Sequence, residues 1–85
     1  MPPKRGTKLP TLRPAQWVEA LRKLGVEPAR EKGSHAIYDV PGYRGRQSHG
    51  QPYVVDLNWQ GIPAQDVRMV LELLGLTEDD LWRVL

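Results

Sequence analysis

The tripeptide Pro-Ala-Gln occurs twice in this 85-residue chain, at Pro14 and at Pro63, and each time it opens a stretch of helical hydrophobic spacing that a glycine closes. After Pro14 the residues Trp17, Leu21 and Leu24, with Val18 and Ala20 beside them, fall on one face of a helix, and Gly25 follows. After Pro63 the residues Val67, Val70, Leu71 and Leu74 repeat the pattern, and Gly75 follows. Proline suits the first helical turn, whose N–H groups have no intrahelical acceptor, and glycine suits the stop. The chain is therefore bracketed by two amphipathic helices with apolar stripes to bury. Glu19 and Lys23, four apart, are expected to pair on the outside of the first.

Between the helices the period changes from 3.6 to 2. His35-Ala36-Ile37-Tyr38-Asp39-Val40 and Tyr53-Val54-Val55-Asp56-Leu57 alternate, carry β-branched and aromatic residues, and are bounded by turn formers. A weaker strand is expected within residues 27–32, with Pro28 confining it to a sheet edge and Gly33 providing the reversal into the next strand. Thr77 followed by Glu78, Asp79 and Asp80 reads as the cap and acidic first turn of a short third helix. The expected fold is an α+β sandwich in the order α-β-β-β-α with a short extra C-terminal helix, both long helices covering one face of a three-stranded antiparallel sheet.

Composition restricts the function. Hydrophobic residues are 40% and charged residues 26%, the balance of a folded globular domain rather than a disordered chain. The absence of cysteine excludes a disulfide scaffold, a thiolate metal site and a cysteine nucleophile. With only two histidines and no HExxH spacing, no metal or other cofactor is expected, and no phosphate-cradling glycine motif is present. No stretch reaches the length of a membrane helix and the N-terminus lacks the apolar run of a signal peptide, so a cytoplasmic protein without membrane contact is expected.

The net charge of +2 conceals a polar distribution. Residues 1–50 carry ten basic and four acidic side chains, net +6, whereas residues 51–85 carry two and six, net −4. The front attracts a polyanion and the rear repels one. Residues 1–10, with Lys4, Arg5, Lys8 and three prolines, read as a flexible basic arm, leaving 11–85 as one domain. Trp17 and Trp82 read as core or helix-packing residues and Trp59 as capping the core or meeting a partner; a further alternative, a structural fragment of a larger assembly, takes Leu81, Trp82 and Leu85 as exposed at the C-terminal end.

The stretch with chemical content is Arg30-Glu31-Lys32-Gly33-Ser34-His35-Ala36-Ile37-Tyr38. A histidine following Gly33 and Ser34 at a strand start offers an accessible ring, and imidazole exchanges protons near neutral pH. Cleavage of RNA needs such a base to take the 2′-hydroxyl proton, and cations, here Arg30 and Lys32, to offset charge at phosphorus. In the segment joining the last two strands, Tyr43, Arg44 and Arg46 combine a stacking ring with two guanidiniums, which suits single-stranded RNA.

Lys32-Gly33-Ser34-His35 followed by Ile37-Tyr38, a further strand, the Ile62-Pro63 helix start and the ending Leu74-Gly75-Leu76-Thr77 are similar to the HicA toxins, also called YcfA-like proteins. The resemblance runs from about Leu12 to Leu85. It implies a fold like the double-stranded-RNA-binding domain and a metal-independent endoribonuclease acting on mRNA, with His35 as the catalytic residue and Gly33 and Ser34 in its RNA-binding string. It also implies a HicB-like antitoxin partner that covers the histidine. The chain departs from the family after the third strand, where a Pro- and His-containing segment and a basic second helix are usual. Here Asn58-Trp59-Gln60-Gly61 leads into a helix with Asp66 and Glu72 against Arg68. That departure moves the expected RNA contact toward residues 41–52 and motivates an alternative, a non-catalytic RNA- or protein-binding module of the same fold.

Overall fold

The computed structural model describes Leu9, residues 11–43 and residues 52–85. The elements run α1 (Pro14–Lys23), β1 (Arg30–Lys32), β2 (His35–Tyr38), β3 (Tyr53–Asp56), α2 (Ala64–Leu73) and α3 (Glu78–Val84). The strands form an antiparallel sheet in the order β1-β2-β3, so the chain is an α+β domain of three helices and a three-stranded sheet. The helix order and punctuation match the sequence expectation. The strands are shorter, because β2 stops at Tyr38 and β3 at Asp56, while β1 begins only at Arg30, two residues beyond Pro28.

The two Pro-Ala-Gln starts lie side by side. Leu12 and Ile62, both buried, form an isolated antiparallel bridge in which the Ile62 N–H donates to the Leu12 carbonyl at 2.7 Å. Both helices are thus launched from one short paired segment. The approach is close enough that a Cβ on Gly61 would lie 2.7 Å from Thr11 Cγ2, so a side chain there would require the threonine to shift. The α1 helix ends in hydrogen bonds from Leu24, Gly25 and Val26 back to its last turn, and α2 ends in the same way from Leu74, Gly75 and Leu76.

One face of the sheet carries the core. Ala36 and Tyr38 from β2 and Tyr53 and Val55 from β3 are buried against Trp17, Ala20 and Leu21 of α1, Val67, Val70 and Leu71 of α2, and Leu81 of α3. Trp17 donates its indole N–H to the Tyr53 hydroxyl at 2.8 Å, so the largest core side chain brings its polar atom in satisfied. Leu9 is also in the core, so packing begins before the boundary expected at residue 11; residues 1–8 and 10 lie outside the described residues.

Three sequence expectations are corrected. Glu19 pairs with Arg22 at 2.7 Å, one helical turn away by the shorter spacing, while the Lys23 ammonium reaches the Val84 carbonyl at 3.5 Å. Leu81 is fully buried rather than exposed, because its position in α3 turns it inward; Trp82 is half-buried and only Leu85 stays exposed. Trp59 does not cap the core: it is 45% exposed, in the turn that follows the end of β3 at Asp56. Thr77 caps α3 as expected: its hydroxyl accepts from the Asp80 N–H at 3.1 Å and its own N–H donates to the Asp80 carboxylate at 2.9 Å. That donation holds the Asp80 carboxyl below the usual carboxylate range.

Candidate functional site

The candidate site is built by strand register. Lys32 pairs with His35 across β1 and β2, and His35 pairs with Asp56 across β2 and β3. Directly opposed residues project to the same face, and alternation from the buried Ala36 and Val55 puts this row on the face away from the helices. A second row, Arg30 with Ile37 and Ile37 with Val54, lies beside it on the same face. Five side chains from three strands thus surround His35 on an open surface.

Gly33 and Ser34 make the two-residue connection between β1 and β2, and Gly33 has a φ of +58°. A positive φ at the first position of so short a loop fits the twist of the flanking strands, and a side chain there is strained. The glycine therefore fixes the hairpin that delivers His35 next to Lys32. His35 is about half exposed, at 49% of its side chain, and Asp56 is 23% exposed.

The His35 Nε2 lies 3.5 Å from Asp56 Oδ2, a contact longer than a good hydrogen bond. The other carboxylate oxygen accepts from the Asn58 backbone N–H at 2.8 Å, a local turn that fixes the carboxylate and leaves Oδ2 to the imidazole. Asn58 in turn donates its side-chain amide to the Ser34 hydroxyl at 3.1 Å, and the Leu57 N–H donates to the Ser34 carbonyl at 2.8 Å. The β1–β2 connection and the turn leaving β3 are therefore fastened together on either side of His35. Ser34 contributes through these bonds, as an anchor for the second turn.

Of the residues singled out in the sequence, Arg30, Lys32, Gly33, Ser34 and His35 are brought together at this hairpin. Tyr43 is not. Its ring stacks edge-on against Tyr53 at 5.2 Å, and Tyr53 pairs with Tyr38, three residues along β2 from His35, or roughly 10 Å at strand rise. Arg44 and Arg46 lie outside the described residues. Asp56 and Asn58 were not identified from the sequence as site residues. Alternation alone puts Asp56 on the outer face, but a two-residue slip of β3 keeps the same alternation and places Val54 or Asn58 opposite His35 instead.

The tyrosines at the far end are held neutral. Burial, with Glu31 adding repulsion, pushes the Tyr38 hydroxyl up to about 12, and burial raises Tyr53 further against the opposing effect of the Trp17 hydrogen bond. Neither exchanges protons near neutrality. Among the described residues no group of three or more His, Asp or Glu side chains is placed to hold a metal ion, and no helix is long and apolar enough to cross a membrane. A groove between α1 and β1, lined in part by Glu19, Arg22, Glu27, Arg30 and Glu31, sets three carboxylates against two guanidiniums and has no anion-binding character. No family model, curated protein or solved structure matches the chain.

Proposed function

We propose that the chain is a HicA-like toxin, a metal-independent endoribonuclease that cleaves mRNA with His35, on a domain of the double-stranded-RNA-binding type. The reading is carried by one observation: a half-exposed imidazole set between a lysine and a carboxylate on the open face of the sheet, at a hairpin locked by Ser34 and Asn58. The Lys32-Gly33-Ser34-His35 string and the element order add the family resemblance.

The chemistry follows from which nitrogen faces the carboxylate. Nε2 faces Asp56, so Nδ1 is assigned as the base. Nδ1 takes the proton of a ribose 2′-hydroxyl, and the 2′-oxygen attacks the adjacent phosphorus. The bond to the 5′-oxygen breaks, giving a 2′,3′-cyclic phosphate, and a solvent proton completes the new 5′-hydroxyl. Lys32 and Arg30 offset the charge that grows on the phosphoryl oxygens, and Asp56 stabilises the imidazolium that forms. A positioned base of this kind contributes about 10²- to 10⁴-fold. A HicB-like antitoxin would silence the protein by covering the outer face of the sheet.

The test is incubation of the purified chain with labelled single-stranded RNA in EDTA, beside the same sequence lacking 2′-hydroxyls. Cleavage of the RNA alone is expected. A second reading, a non-catalytic binding module, is favoured by α2, where Asp66 and Glu72 stand against Arg68, itself within 3.4 Å of Glu78. That reading gains if the folded chain leaves both oligonucleotides intact.

A further inference from the structure

Trp59 is one of three large apolar side chains that stand exposed among the described residues, with Leu57 and Leu85. An indole left 45% open gives up burial that the same side chain achieves fully at Trp17. Nothing in the local fold requires it. The turn after β3 is held by the Asn58 N–H on the Asp56 carboxylate, the Asn58 amide on Ser34, and the Trp59 backbone N–H on the Asp56 carbonyl at 3.1 Å. None of these bonds uses the indole. The backbone that carries Trp59 is therefore held in place three residues beyond the carboxylate that contacts His35, and the residue stands 45% exposed.

We propose that Trp59 is a base-stacking platform for single-stranded RNA, which seats an unpaired nucleotide beside the scissile phosphate. The inference rests on the ribonuclease reading and names the form of its substrate. Recognition of a single strand combines cations that follow the phosphates with an aromatic face on which a base stacks; here the cations stand on the sheet face of His35 and the exposed indole in the turn that follows Asp56. Arg30 and Lys32 project from the same sheet face as His35, and the turn that carries Trp59 is tied to the hairpin joining Lys32 to His35. Charge favours RNA over a basic protein surface as the occupant. Duplex RNA keeps its bases stacked on one another and has none to offer, so the platform selects single-stranded segments.

The experiment is equilibrium binding of a fluorescent, non-cleavable oligonucleotide lacking 2′-hydroxyls, with the full chain, Trp59→Ala and Trp59→Phe, beside cleavage of the matching RNA. The expected result is a 5- to 150-fold loss of affinity in Trp59→Ala, roughly the span of one stacked base. Affinity is kept within about threefold in Trp59→Phe, with an unchanged melting curve in both. An oligonucleotide abasic at successive positions should reveal one position at which the parent loses the same factor and Trp59→Ala loses nothing more. If the parent binds and cleaves RNA and Trp59→Ala does so equally well, the platform is overturned while the ribonuclease reading stands, and the indole is left to a protein contact. If the folded parent neither binds nor cleaves, both fail.

Discussion

The two faces of the sheet are made by the same short strands and do opposite things. Along β2, Ala36 and Tyr38 are buried against the helices, while His35 and Ile37 point the other way; along β3, Tyr53 and Val55 face in, Val54 and Asp56 out. The inner face is largely apolar: among the described residues Trp17 and Tyr53 satisfy each other at 2.8 Å, and the Tyr38 hydroxyl is buried without a partner. The outer face holds Arg30, Lys32, His35 and Asp56 around two half-covered aliphatic residues, with no helix over them among the described residues. A domain this small has little apolar area to spare, so it concentrates packing on one face and leaves the other available for chemistry.

That division can be broken at adjacent positions. Ala36→Asp buries a carboxylate with no partner, a penalty of several kcal/mol against a total stability of about 5–15 kcal/mol, and should abolish the cooperative thermal transition. Ile37→Thr, one residue on and facing out, should leave the melting curve close to that of the parent. Equal damage from both would show that the outer face is also packed. A milder cut on the inner face is Tyr53→Phe, which leaves the Trp17 indole N–H buried without an acceptor and should lower unfolding free energy by about 1–3 kcal/mol in urea titration. Any loss of RNA cleavage in that variant should follow from its unfolded fraction alone.

The smallest expected effect lies on the outer face. Asp56→Asn keeps an oxygen for the Asn58 N–H, so the turn survives, but removes the charge beside the imidazole. An ion pair this exposed is worth about 1 kcal/mol at most, so kcat/KM for RNA should fall by about fivefold with stability unchanged. A loss approaching that expected on removing His35 itself would mean that Asp56 acts directly on the substrate.

The helices and the sheet order were legible in the sequence because their signals are local: a proline start, a glycine stop and a period. The place of His35 at the start of a strand was legible for the same reason, since Gly33 and Ser34 precede it in the chain. Asp56 and Asn58 were not, because their places depend on how β3 registers against β2. The 14 residues between the two strands, 39–52, are too many to fix that register. Whether Trp59 caps the core or meets a partner was not legible, because composition carries no knowledge of where a strand ends. Tyr43 was placed with the cations of its own segment, yet its ring packs on Tyr53, a contact between residues ten positions apart.

The central claim is that His35 on the outer face is the base of a 2′-oxygen attack, and the most direct measurement is the chemistry of the RNA ends. The chain and its His35→Ala variant would be incubated with RNA in EDTA, the new termini identified by mass spectrometry, and both proteins melted in parallel. The account predicts 2′,3′-cyclic phosphate and 5′-hydroxyl ends from the parent, a loss of about 10²- to 10⁴-fold in rate for the variant, and superimposable melting curves. Cleavage that persists undiminished in a folded His35→Ala chain, or ends of any other kind, would contradict it.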